Sequence, residues 1–65
     1  MTKWDEAKWE INRIFASRRG DTREDIENAV YAAFEKSGQR LTEEWKRALS
    51  DQARTVARGG TATLS

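Results

Sequence analysis

The chain has 65 residues, which is enough for one domain with one small hydrophobic core. It contains neither cysteine nor histidine, which excludes disulfide bonds, thiolate metal sites and the commonest general base. Its 12 basic and 11 acidic residues leave a formal net charge of +1, so it has no large basic excess of the kind typical of dedicated nucleic-acid binders.

The sequence also bears on location and cofactors. No apolar run approaches the length needed to cross a membrane, and residues 1–10 carry acids and tryptophans instead of an apolar leader. We therefore expect a cytoplasmic protein that does not contact a membrane. Because the chain has no glycine-rich phosphate loop after a strand and no metal-ligand pattern, we expect no cofactor and no bound metal.

The first predicted helix spans about 3–18. Its apolar residues recur every three or four positions, as on one face of an α-helix. They are Trp4, Ala7, Ile11, Ile14 and Phe15. Arg18 and Arg19 suit the C-terminus of a helix, where the helix dipole is negative. Gly20 can then adopt the left-handed conformation that ends many helices.

The second predicted helix spans about 22–37, with Asp21 or Thr22 as its N-cap. Acidic residues follow in its first turns, where the helix dipole favours negative charge. The apolar face comprises Ile26, Ala29, Val30, Ala33 and Phe34. Gly38 marks the end of this helix.

The third predicted helix spans about 42–58 and begins at Thr42, with Leu41 folded back over the helix entry. Its apolar face comprises Trp45, Ala48, Leu49, Ala53 and Val56. Gln52 lies on the same side, either at the boundary of the core or as a buried hydrogen-bonding group. Gly59 and Gly60 end the helix, and residues 59–65 show no periodicity, which predicts a flexible, disordered tail.

Short connections between helices favour antiparallel neighbours. The sequence therefore predicts an all-α fold, a small three-helix bundle with up-down-up topology over residues 1–58, followed by the disordered tail. Eleven residues form the expected core. They are Trp4, Ile11, Ile14, Phe15, Ile26, Val30, Phe34, Leu41, Trp45, Leu49 and Val56.

Trp9 is the strongest single candidate for a functional residue. At 100° per residue it lies about 160° from Ile11, close to the opposite face of the first helix. Arg13 follows one turn later and can stack on the indole, a pairing typical of binding hot spots. The alternative is that Trp9 covers the edge of a wide apolar stripe.

These observations predict a small non-enzymatic module or inhibitor that binds a protein partner, or a second copy of itself, through the outer face of the first helix. The expected contact residues are Asp5, Trp9, Asn12, Arg13 and Ala16. No pattern of nucleophile, base and oxyanion donors is present, so we expect no catalytic residues and no enzymatic activity.

The alternative function is that of a nucleic-acid-associated accessory protein. In an up-down-up bundle, four arginines gather at one end and can contact phosphates. They are Arg18, Arg19, Arg54 and Arg58. The acidic start of the second helix lies at the same end, which disfavours nucleic acid as the partner.

Overall fold

The computed structural model describes residues 2–65 and contains three α-helices. They are α1, Lys3–Ser17; α2, Arg23–Glu35; and α3, Glu43–Ala57. Each helix end lies within two residues of its predicted position. The small all-α three-helix bundle is confirmed, and no strand is present among the described residues.

A threonine N-cap directly precedes each helix. The hydroxyl oxygens of Thr2, Thr22 and Thr42 accept hydrogen bonds of 3.1 to 3.3 Å from the backbone N–H three residues later. The second of these bonds identifies Thr22, and not Asp21, as the N-cap of α2. At α1 the Asp5 carboxylate also accepts from the backbone N–H of Thr2, completing a capping box. The spacing of Thr2 and Asp5 matches the sequence pattern of this motif, although the box was not among the predictions.

The core lies where the three apolar faces meet. Its cluster of buried side chains comprises Ile11, Phe15, Ile26, Val30, Ala33, Phe34, Leu49, Ala53 and Val56. Four predicted core residues are only partly buried, although they pack against this cluster; these are Trp4, Ile14, Leu41 and Trp45. The expectation that these four are core residues is therefore correct for their contacts but not for complete burial.

Three aromatic rings close one end of the bundle. The ring centroids of Trp4 and Phe34 are 5.6 Å apart, those of Trp4 and Trp45 are 5.4 Å apart, and those of Phe34 and Trp45 are 5.0 Å apart. Since each helix contributes one ring, the contact joins the start of α1, the end of α2 and the start of α3. The large rings reach the end of the bundle, which explains why Trp4 and Trp45 keep some exposure.

The chain turns sharply after α3. The N–H of Gly59 donates to Val56 O at 2.9 Å, and the N–H of Gly60 donates to Thr55 O at 3.0 Å. Together with a φ of +89° at Gly59, these two bonds form a Schellman motif. The turn directs the following residues back along the bundle.

The segment that follows this turn corrects the expectation of a disordered tail. Asn12 Nδ2 donates to Leu64 O at 2.9 Å, and the Leu64 N–H donates to Asn12 Oδ1 at 2.6 Å. Gln52 Nε2 donates to Thr63 O at 3.2 Å, so the tail is held by both α1 and α3. The side chains of Ala62 and Leu64 pack against the core, while Thr63 between them is exposed. This alternation is typical of an extended segment with one apolar side.

Candidate functional site

The candidate site is the outer face of α1, which turns away from the other two helices. Trp9 lies on this face with 62 % of its surface exposed, the only exposed large hydrophobic side chain within residues 2–65. It does not belong to the side chains that pack against the core. The alternative that Trp9 covers the edge of the apolar stripe is therefore wrong, because its position follows the helical angle from Ile11.

Arg13 lies one turn after Trp9 and contacts it. The guanidinium carbon is 5.4 Å from the centroid of the indole ring, within the range of a cation–π interaction. This contact restrains both side chains at the surface. The structure therefore brings Trp9 and Arg13 together, as the spacing predicts.

Two acidic residues outside the predicted set complete the site. Glu6 and Glu10 line an open surface depression together with Trp9 and Arg13. Glu10 forms an ion pair of 3.2 Å with Lys36 of α2. Glu6 lies three residues before Trp9 and Glu10 lies one residue after it. Both positions are visible in the sequence, but the prediction was based on an exposed hydrophobic residue, and neither of these residues is apolar.

The other three predicted contact residues have different environments. Asp5 is exposed but its carboxylate caps α1, where hydrogen bonds from the backbone N–H and the hydroxyl of Thr2 hold the pKa of Asp5 below its ordinary value. Ala16 is exposed beside the tail. Asn12 is the exception, because both atoms of its amide bind the backbone of Leu64. Asn12 is therefore a structural residue that holds the tail, and its assignment to the contact surface is corrected.

The exposed face of α1 consequently has two borders. The Glu10–Lys36 ion pair marks the border with α2, and the Asn12–Leu64 hydrogen bonds mark the border with the tail. Trp9 and Arg13 lie between these borders. The site is thus a narrow strip along one helix and not a cleft between elements.

The arginine-rich end, the alternative site, is built from the ends of α1 and α3. Arg19 donates to Gly59 O at 2.9 Å, which places these two helix ends together as predicted. Arg58 is the C-cap residue of α3 and is exposed beside this contact. The four predicted arginines therefore lie within or just after the two helices whose ends meet here.

Acidic side chains accompany two of these arginines. Arg18 lies 3.7 Å from a carboxylate oxygen of Asp21, and Arg54 lies 3.9 Å from one of Asp51. Arg19 donates to the backbone carbonyl of Gly59, as described above, so its partner is also an oxygen atom of this chain. Three of the four arginines therefore have an oxygen atom of the chain as a partner, although the two ion pairs are long and exposed and are weak.

Within the part of the chain described, no group of three or more acidic residues is arranged to hold a metal ion, and no helix has both the length and the apolar character needed to cross a membrane. No protein-family model matches the chain, and no curated protein or solved structure is significantly similar to it.

Proposed function

We propose that this protein is a small non-enzymatic binding module that recognises a protein partner through the outer face of α1. The exposed indole of Trp9 carries this proposal. Tryptophan is largely buried in most folded proteins and is enriched, like arginine, among residues that dominate binding energies. An indole that stays exposed with an arginine stacked on it has the chemistry of such a residue.

The surroundings of Trp9 supply the polar rim that a binding centre requires. Arg13 and Glu6 flank the indole, and each can pair with an opposite charge on a partner. The partner best suited to this strip presents an apolar pocket or flat apolar patch with charged groups at its border. Burial of the indole then supplies affinity, while the two charges fix orientation.

A capture experiment with matched variants tests this proposal. Wild type, Trp9→Ala and the control Arg47→Ala are immobilised and exposed to lysate of the source cell; Arg47 is an exposed residue of α3. We expect a protein retained by wild type and by Arg47→Ala but lost with Trp9→Ala, with all three variants melting alike. Loss from Arg47→Ala as well, or a Trp9→Ala variant that is unfolded, would contradict the assignment of the surface.

Treatment of the same samples with nuclease distinguishes the alternative function. Material that disappears with nuclease from all three variants would indicate nucleic acid bound at the arginine-rich end. Binding of that kind weakens steeply with salt, because each neutralised phosphate releases counterions. Retention that is insensitive to nuclease and only weakly dependent on salt supports the protein partner.

A further inference from the structure

We infer that the partner on this face is a second copy of the chain, with α1 packed antiparallel against α1 of the other copy around a two-fold axis close to Trp9. This inference rests on the proposed function, since it uses the same surface. Symmetric dimers require a patch that is complementary to itself. The arrangement of charges around Trp9 meets that requirement.

The charges that flank Trp9 are opposite and nearly equidistant from it along α1. Glu6 lies three residues before the indole and Arg13 lies four residues after it, so the two are separated by about 10.5 Å along the axis. At 100° per residue, Glu6 is rotated about 60° and Arg13 about 40° from Trp9, in the same direction. Both therefore lie on one side of the indole.

A two-fold axis perpendicular to α1, midway between Glu6 and Arg13, reverses the order of residues along the helix in the second copy. In both copies, Glu6 and Arg13 stay on the same side of the contact. The axis places Glu6 of one copy opposite Arg13 of the other, and the symmetry repeats this pair. The two Trp9 indoles meet at the axis. Two helices in this orientation also have antiparallel dipoles, with the positive end of each beside the negative end of the other, which is favourable.

The ion pairs within the chain leave these two residues available. None of the ion pairs found within residues 2–65 includes Glu6 or Arg13. Glu10 also lies near the proposed axis, but Lys36 at 3.2 Å neutralises its charge, so the two copies of Glu10 do not create an uncompensated repulsion. The strip therefore presents one apolar group, one free acid and one free base.

The size of the contact predicts its strength. One helix face against another buries less than the roughly 1,200–2,000 Å² of a standard stable interface. We expect a reversible dimer with a dissociation constant in the micromolar range. Exchange between copies at this affinity allows a hetero-dimer to form when two variants are mixed.

Sedimentation equilibrium on charge-reversed variants tests the pairing. Glu6→Arg brings two guanidinium groups together at each pair, and Arg13→Glu brings two carboxylates together. Each variant alone should therefore dimerise roughly tenfold or more weakly than wild type. In a mixture of the two, both pairs of a hetero-dimer join an arginine to a glutamate, so the hetero-dimer should form about as well as the wild-type dimer and better than either variant alone.

The double variant Glu6→Arg/Arg13→Glu supplies the rescue. It exchanges the acid and the base within one chain, so each pair across the two-fold axis again joins opposite charges and dimerisation should recover. Arg47→Glu on α3 is the matched charge control and should dimerise like wild type. A double variant that dimerises no better than the single variants would overturn the pairing.

The outcomes separate this inference from the proposed function. A wild type that stays monomeric at millimolar concentration overturns the dimer. If Trp9→Ala nevertheless loses a different captured protein, the proposed function stands without the dimer. Dimerisation that is unchanged by Glu6→Arg, Arg13→Glu and Trp9→Ala would place the contact elsewhere and overturn the inference.

Discussion

Two tryptophans on α1, five positions apart, have opposite environments. The ring of Trp4 packs edge-on against Phe34 and Trp45 with centroids 5.4 to 5.6 Å away, whereas Trp9 is 62 % exposed with Arg13 stacked on it. Residue type and local helix structure are the same at both positions. The difference arises from the angle of each residue around the helix axis, and it separates a tryptophan that stabilises the fold from one that is available for binding.

The largest expected effect comes from breaking the aromatic contact on the Trp4 side. Phe34 is fully buried and touches both tryptophan rings, so Phe34→Ala should lower the free energy of unfolding by about 3–5 kcal/mol. That equals the whole net stability of many domains of this size, so cooperative thermal unfolding should disappear. Circular dichroism measures this directly, and a normal melting transition would show that the buried face of α2 is assigned wrongly.

The difference between the two tryptophans is tested by a matched pair of substitutions. Trp4→Ala removes a partly buried ring from the core and should lower the free energy of unfolding by about 2–4 kcal/mol. Trp9→Ala removes an exposed ring and should change it by no more than about 0.5 kcal/mol. Urea unfolding of both variants gives the two values. Equal losses would show that the two tryptophans do not have distinct roles.

Substitution of Asn12 tests the border between the exposed face of α1 and the tail. Asn12→Ala removes both hydrogen bonds to Leu64, leaves the backbone N–H of Leu64 without a partner, and should lower the free energy of unfolding by about 1–2 kcal/mol. Asn28→Ala is the control, because Asn28 is exposed on α2. Urea unfolding should show a loss only for Asn12→Ala, and equal curves for the two variants would mean that these two hydrogen bonds add no stability.

The smallest effect concerns the start of α1. Hydrogen bonds from Thr2 lower the pKa of Asp5 in the folded chain, so the stabilisation is fully present above the pKa of the unfolded chain and is lost as pH falls through the folded pKa. Thr2→Ala removes the hydroxyl donor and should move the pKa of Asp5 up towards its ordinary value. An NMR titration of the Asp5 carboxyl group measures the shift, and Trp9→Ala should leave it unchanged.

Helical periodicity predicted the three helices and the angle of Trp9 relative to Ile11, because both depend only on residues a few positions apart. It left open whether Trp9 is exposed or covers the edge of the apolar stripe. It did not predict the tail contact, which joins Asn12 to a residue 52 positions later. The alternation of Ala62 and Leu64 does indicate an extended segment, but two apolar residues are too few to distinguish it from an irregular end. Glu6 is a similar case, because the role proposed for it depends on a symmetric arrangement around Trp9 and not on a local pattern.

The contact between Asn12 and Leu64 also has a consequence for how the molecule opens. Helix contacts are local and form early, whereas closing a segment over most of the chain length carries a larger entropic cost. The tail should therefore dock last and open alone, without unfolding of the bundle. Amide hydrogen exchange at Leu64 then reports the opening of the tail, and exchange at buried Val30 reports global unfolding.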